Sequence, residues 1–163
     1  MSPQQPDQAL AVQPLVARAL ADRSIEVLSV APEPDNASYG AQILATSAGT
    51  IRIRAGNVTP TKLGVFIAVW RRLESGQTGP FTHSDGVDFL LVTAQENERA
   101  GAFLIPTATL ATRSIVSVAG KGGKRGFRLY PPWLTGLNPQ ASRSQRWQAE
   151  FFQSIAALPH LPC

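Results

Sequence analysis

The sequence predicts an α/β domain in which a mixed sheet lies between a leading and a closing helix. Segments 65–70 (VFIAVW) and 87–93 (VDFLLVT) carry apolar residues on both faces of the predicted strand, which is typical of strands covered from both sides. Segment 50–54 (TIRIR) alternates apolar and basic residues and predicts a strand with one dry and one charged face. Apolar residues at helical spacing near both ends of the chain indicate the two helices.

A length of 163 residues fits one domain, and we expect it to span residues 9–163 after a Pro- and Gln-rich tail at residues 1–8. Hydrophobic residues make up 44% of the chain, which argues against general disorder. The single cysteine, Cys163, excludes an intrachain disulfide and a cysteine metal cluster. No signal peptide and no apolar run of about 20 residues is present, so we expect a cytoplasmic protein without a membrane segment.

The first half of the chain predicts one helix and three strands. A helix should run from Gln13 to about Val27, with Pro14 in its first turn. PEPDNAS at 32–38 predicts a turn, and 39–45 a short strand. The TIRIR and VFIAVW strands follow, joined by a loop over 55–64.

The second half predicts further strands and a closing helix. VDFLLVT at 87–93 should be fully buried, and AFLIP at 102–106 should be a strand. A glycine- and lysine-rich loop precedes a strand at about 127–130, which the following prolines must end or push to a sheet edge. Asn138 should cap the last helix. Its inner side should carry Trp147, Phe151, Ile155 and Leu158.

The charge is unevenly distributed around a net value of +4. Residues 1–50 carry two Arg against five acidic residues, and residues 51–98 are balanced. Residues 99–163 carry eight Lys and Arg against one Glu. Five cations also lie between 51 and 72 with no acid among them. If the two basic segments fold onto one face, they create a positive field suited to a polyanion; the alternative is a scattered, solvated basic surface.

Standard phosphate-binding motifs fail at the glycine-rich loop, Gly120 to Gly126. The Walker pattern would need Gly where Val118 stands and Ser or Thr where Arg125 stands, and the dinucleotide pattern would need its third glycine at Arg125. Flexible backbone amides beside four cations remain, which indicate either an anion-binding loop or a solvated hairpin.

Catalytic and metal signatures are weak. His83 and His160 have no cysteine or acid at ligand spacing beside them, and no GxSxG elbow occurs. No Asp-x-Lys, Glu-x-Lys or Gln-x-Lys occurs either, although a nuclease of the restriction type would use such a lysine beside metal-binding carboxylates. We therefore assign no catalytic residue, metal or cofactor.

Four segments together resemble the MepB family: IRIRAGNVTPTKLGVFIAVWRR at 51–72, VDFLLV at 87–92, GAFLIP at 101–106, and KRGFRLYPPW with QASRSQRWQAEFF within 124–152. The resemblance implies a three-layer α/β/α fold with a central mixed sheet, similar to restriction-endonuclease-like domains, and nucleic-acid binding without established cleavage. The residues that match the family's first block are Arg52, Arg54, Thr59, Pro60, Lys62, Gly64, Phe66 and Trp70. Those that match its last block are Lys124, Arg125, Arg128, Tyr130, Pro131, Pro132 and Trp133. Asn57 stands where the family often has Lys, after Gly56 where the family has Ala, which removes a cation from the loop.

We therefore expect a protein that binds the phosphate backbone of DNA or RNA without catalysis. The residues expected to bind are Arg52, Arg54, Thr59, Lys62, Lys121, Lys124, Arg125, Arg128 and Tyr130. Tyr130 or Trp133 could stack on a base if exposed. The alternatives are a degenerate metal-dependent nuclease that uses Asp88 with Glu33 or Asp35, and an adaptor that binds a small anion or a partner protein. The sequence leaves open the oligomeric state and the choice between DNA and RNA.

Overall fold

The computed structural model of the chain describes residues 12–33 and 41–156. The predicted tail at 1–8, Asp35 and most of the 32–38 turn lie outside these residues, as do Leu158, His160 and Cys163. The helices are α1 (Pro14–Asp22), α2 (Thr107–Thr112) and α3 (Pro139–Gln148), and a 3-10 turn (Ala149–Phe151) follows α3. The strands are β1 (Val27–Pro32), β2 (Gln42–Thr46), β3 (Gly49–Ala55), β4 (Asn57–Val58), β5 (Val65–Ala68), β6 (Trp70–Arg72), β7 (Thr78–Pro80), β8 (Phe89–Glu96), β9 (Arg99–Pro106), β10 (Gly126–Leu129) and β11 (Phe152–Ile155).

The main sheet has six strands in the order β1-β2-β3-β8-β9-β11. The pair β3 and β8 is parallel, with Ile51 opposite Phe89, whereas the other pairs are antiparallel. The sheet is therefore mixed, and together with the helices it confirms the α/β class predicted from the sequence. A three-stranded sheet in the order β10-β5-β4 and a two-stranded β6-β7 hairpin accompany it.

Two hydrophobic clusters lie on opposite faces of the six-stranded sheet, because successive residues of a strand point to opposite sides. On β8, Leu91 joins the cluster beneath α1, whereas Leu90 and Val92 join the other. The second cluster also contains the inward residues of the three-stranded sheet and Leu110 of α2, and Trp147 of α3 packs against it. The predicted burial on both faces is thus confirmed for residues 90–93, whereas Val87 and Phe89 are half-buried and Asp88 is exposed.

The leading helix begins as predicted but ends earlier than residue 27. Ser24 has a φ of +57°, and the Ile25 N–H bonds the Leu20 carbonyl at 2.9 Å, which closes the last turn. Val27–Pro32 then form β1, paired with β2. The helical spacing of the apolar residues continued past the residue at which the backbone leaves the helix.

The closing helix also begins as predicted: Asn138 accepts a hydrogen bond from the Ala141 N–H at 2.8 Å. The predicted continuation to residue 158 is wrong, because Phe152–Ile155 pair with β9 as strand β11. Gly101 makes room for this strand, since a Cβ there would lie 2.2 Å from the Phe152 ring. Pairing with β9 outweighs the helical spacing of Trp147, Phe151 and Ile155.

The VFIAVW segment is not a strand covered on both sides. It divides into β5 and β6, and β5 is the middle strand of the three-stranded sheet. Val65 and Ile67 are buried, but Phe66 is 38% exposed. One face of the three-stranded sheet therefore meets solvent. No helix within residues 12–33 and 41–156 has the length and apolar run that crossing a membrane requires.

Candidate functional site

Arg52 and Arg54 lie in the interior, not on a charged outer face. They are 8% and 6% exposed, on the side of β3 opposite Ile51 and Ile53. Their carboxylate partner is Glu33, which follows β1 and is 7% exposed. The expectation that these two guanidinium groups are exposed to phosphates is therefore wrong. The polar face of the strand is covered, and the carboxylate of Glu33 pairs with both arginines.

The buried ion cluster, defined as Glu33, Arg52, Arg54 and Asp85, is tightly packed. Arg52 Nε lies 3.2 Å from Glu33 Oε1 and Arg54 Nη1 lies 2.5 Å from Glu33 Oε2, while Asp85 Oδ2 is 3.8 Å from Arg52 Nη2. The Arg52 guanidinium also stacks 3.6 Å from the ring centroid of Phe81. The cluster holds β1 and the segment after β7 against β3.

Burial lowers the pKa of the Arg52 guanidinium below its usual value, because a charge away from water loses hydration. The carboxylate of Glu33 opposes this lowering most strongly and Asp85 adds to the opposition, whereas the neighbouring Arg54 reinforces it. The carboxylates are therefore what makes two buried cations tolerable.

Four of the other predicted residues lie around two adjoining cavities of about 280 and 450 Å³. They are Lys62, Lys124, Arg128 and Tyr130. Arg113, at the end of α2, lines the first cavity with Lys124, and Lys62 lines the second. Both cavities share Arg128, Tyr130, Asn138 and Ala141, so they form one concave surface. We call this surface the basic groove and define it by its four cations: Lys62, Arg113, Lys124 and Arg128.

The basic groove carries four cations and no described acid in its lining. No Asp or Glu lines either cavity among the described residues. Lys62, Arg113 and Lys124 are exposed, and Arg128 is half-buried. Lys62 belongs to the first basic segment and Lys124 to the second, and each lines a cavity that Arg128 also lines.

Arg128 is the best anchored cation of the groove. It projects from β10, and its guanidinium donates to Thr59 Oγ1 at 3.0 Å and more weakly to the carbonyls of Leu63 and Gly64 at 3.4 and 3.5 Å. Thr59, predicted as a binding residue, therefore holds Arg128 in place. Uncharged partners fix the guanidinium without cancelling its charge.

Two further features shape the groove. Gln148 of α3 is 1% exposed; its amide donates to the Arg128 carbonyl at 3.0 Å and accepts from the Tyr130 N–H at 2.8 Å. This pair of bonds fastens α3 to the end of β10. Gly64, with a φ of +91°, brings the 59–64 loop against Tyr130, where a Cβ would lie 2.9 Å from the aromatic ring.

The remaining predicted cations lie outside the basic groove. Lys121 is exposed in the glycine-rich loop and lines neither cavity. Arg125 is also exposed, and its guanidinium bonds the Thr78 carbonyl at 2.9 Å and the Thr78 hydroxyl at 3.1 Å. Arg125 therefore ties β10 to the neighbouring β6-β7 hairpin.

The predicted site missed Arg113. Its guanidinium lies 4.9 Å from the Trp147 ring centroid, on the wall of the first cavity. The excess of positive charge after residue 99 was the available signal, but nothing near Arg113 in the sequence tied it to Lys124. Trp147, predicted to belong to the core, packs against the core and also lines this cavity.

The carboxylates proposed for a nuclease are engaged elsewhere. Asp88 Oδ2 accepts from the Thr50 N–H at 2.8 Å, which joins the start of β3 to β8, and Glu33 lies in the buried ion cluster. Within the described residues, no group of three or more His, Cys, Asp or Glu is placed to hold a metal ion. Asp35 lies outside the described residues.

A family model and a solved structure both relate the chain to MepB. A family model described as MepB-like matches residues 33–154. The chain is also similar to a solved structure described as "Crystal Structure of MepB", with a TM-score of 0.75 and 26% sequence identity over 88% of this chain and 97% of that chain. No curated protein matches the chain.

Proposed function

We propose that this chain, which belongs to the MepB-like family, binds nucleic acid by contacting the phosphate backbone in the basic groove, and that it does so without catalysis. The observation that carries the proposal is the meeting of Lys62 with Arg113, Lys124 and Arg128 on one concave surface that no described acid lines. Cations gathered without counter-charges attract a polyanion and gain free energy when condensed counterions are released.

The chemistry of the four cations fits phosphates. Arg128 has a fixed planar fork and is held by uncharged oxygens, so its charge remains available. Lys62 and Lys124 are exposed, flexible point charges that can follow a backbone of variable path. Such contacts position a nucleic acid without reading its sequence, and we therefore propose binding with little sequence preference.

Salt dependence tests this proposal directly. Labelled single-stranded and duplex oligonucleotides are titrated with the protein and followed by fluorescence anisotropy at several salt concentrations. The logarithm of the association constant should fall linearly with the logarithm of salt, by about 0.9 per duplex phosphate contacted and about 0.7 per single-strand phosphate. A flat response to salt would contradict phosphate binding.

Matched variants locate the site. Lys62→Ala and Lys124→Ala should each weaken binding to all sequences and make the salt slope shallower by about one phosphate contact. Arg23→Ala is the control, because Arg23 is an exposed arginine just after α1, on the other face of the six-stranded sheet. If Arg23→Ala lowers the slope as much as Lys124→Ala, binding is spread over the whole surface and the groove is not the site.

The same measurements separate the alternatives. Cleavage of labelled DNA or RNA in the presence of magnesium or manganese, lost on Asp88→Ala, would favour a nuclease instead. A thermal shift with small anions but none with oligonucleotides would favour an adaptor for a small ligand. Neither result is expected, since Asp88 and Glu33 are engaged elsewhere and the groove extends over two cavities.

We also propose the three-layer, restriction-endonuclease-like arrangement that the resemblance implies. Its support is that α1 covers one face of the six-stranded sheet, while α2, α3 and the three-stranded sheet cover the other. Superposing an experimentally determined structure on restriction-endonuclease-like domains tests it: a match confined to isolated strand pairs would contradict the proposal.

A further inference from the structure

The outer face of the three-stranded sheet carries an aromatic ring beside the basic groove. Phe66 is 38% exposed, although its neighbours Val65 and Ile67 are buried. Within the described residues, it is the one aromatic among the large exposed hydrophobic side chains. More than a third of Phe66 is therefore accessible to a ligand, on the same sheet as Arg128.

The sheet register places Phe66 against the groove. Phe66 on β5 is directly opposite Arg128 on β10. The Arg128 guanidinium lies 5.8 Å from the Phe66 ring centroid, and Arg128 also lines both cavities of the basic groove. The ring is therefore next to the cation on which the two cavities meet.

A glycine fixes where the ring lies. Gly126 is two residues from Arg128 on β10, and a Cβ at Gly126 would lie 2.4 Å from the Cζ of Phe66. The ring thus lies across the backbone at Gly126, in space that any side chain on that residue would fill. The sheet backbone supports the ring from beneath, which limits its freedom before a ligand arrives.

The two aromatics proposed from the sequence are less available. Trp133 packs edge-on against Phe152, with ring centroids 5.7 Å apart, and its Nε1 lies 3.4 Å from Glu96 Oε2. Tyr130 is half-buried against Gly64. Phe66 is more exposed than either of them.

On the basis of the proposed function, we propose that Phe66 stacks on an unpaired base whose flanking phosphates lie in the basic groove, so that the ligand is single-stranded nucleic acid. Every base has a π face, so stacking on Phe66 requires no particular sequence. In a duplex the bases are already stacked and paired, and the ring could reach only the backbone. Arg128 beside the ring adds a cation at the position where the phosphate of the stacked nucleotide would lie.

The test compares wild type with Phe66→Leu, which keeps an apolar side chain but removes the ring. Single-strand affinity should fall about 5- to 150-fold, the range expected for loss of one stacked base. Duplex affinity and the salt slope should not change, because no phosphate contact is removed. Val58→Ala is the matched control, since Val58 is a 50% exposed apolar residue of the same sheet without an aromatic ring. Equal losses in Phe66→Leu and Val58→Ala would overturn the inference.

Two further measurements make the test independent of the stability of Phe66→Leu. Wild type should bind an abasic single strand of the same length more weakly than the ordinary strand, whereas Phe66→Leu should bind the two alike. Phe66→Trp should bind single strands more tightly than Phe66→Leu, because it again carries an aromatic ring. Single strands should also quench the fluorescence of its added indole. If wild type binds ordinary and abasic strands with equal affinity, the stacking role of Phe66 is overturned. The proposed function would still stand if binding depended linearly on salt and Lys124→Ala weakened it. If wild type binds no oligonucleotide, both proposals fall.

Discussion

Replacing Glu33 with Gln should strongly destabilise the protein, because it removes the charge that neutralises two buried cations. Arg52 and Arg54 are 8% and 6% exposed, and both form ion pairs with Glu33. Glutamine keeps the size of the side chain and its capacity to accept a hydrogen bond, so the change isolates the charge. Asp85, at 3.8 Å from Arg52, remains as a weaker partner.

The expected loss follows from the burial of the cluster. Removing one partner of a buried ion pair costs about 3–5 kcal/mol, since an uncompensated charge stays in a medium of low polarity. The side chains concerned are only 7–10% exposed, so screening by solvent relieves little of this cost. At about 2–4 °C per kcal/mol for a chain of this size, the melting temperature should fall by about 6–20 °C.

Urea unfolding followed by circular dichroism measures this loss as a shift in midpoint at constant slope. Glu98→Gln is the control, because it makes the same chemical change at an exposed residue, where a surface substitution changes stability by about 0.5 kcal/mol or less. If the unfolding free energies of Glu33→Gln and Glu98→Gln agree within 1 kcal/mol, the cluster contributes little to stability, and our explanation for the burial of Arg52 and Arg54 is wrong.

Two further substitutions test how the basic groove is held in shape. Gln148→Ala should lower the unfolding free energy by about 1–3 kcal/mol, since it leaves a carbonyl and an N–H at the end of β10 without partners; an unfolding free energy unchanged from wild type in a urea titration would contradict this. Gly64→Ala should be more destabilising than Gly136→Ala: both have positive φ, but a Cβ at Gly64 meets Tyr130 whereas one at Gly136 meets nothing within 4 Å. Equal melting temperatures for the two alanine variants would show that the contact with Tyr130 is unimportant.

The helix and strand starts were predictable where local chemistry decides them. Asn138 followed by Pro139 marks the start of α3, and the structure shows the predicted capping bond. The ends of the helices were not predictable in this way. Residues 152–155 follow helical spacing, yet they pair with β9 along a strand in which Gly101 leaves room for Phe152. Only the fold reveals that partner.

The sequence predicts which residues of the candidate site are charged, but not which of them are buried. Alternation in TIRIR separates Ile51 and Ile53 from Arg52 and Arg54, but a period of two cannot tell which face another layer will cover. The covering acid, Glu33, lies 19 positions before Arg52 and nothing in its surroundings marks it as a partner. By contrast, Lys62 and Lys124, one from each basic segment, line adjoining cavities that share Arg128.

The edge of β10 that does not pair with β5 affects which kind of ligand the basic groove can bind. β10 is an edge strand, and an edge strand with open backbone groups invites pairing with a strand of another chain. Here Gln148 occupies the Arg128 carbonyl and the Tyr130 N–H, so an added strand would first have to displace a buried amide. The one cation of the strand itself, Arg128, is half-buried and still lines both cavities of the groove. Adding a strand at this edge would therefore disturb the packing of α3, whereas the proposed contact of phosphates with the cations of the basic groove does not require it.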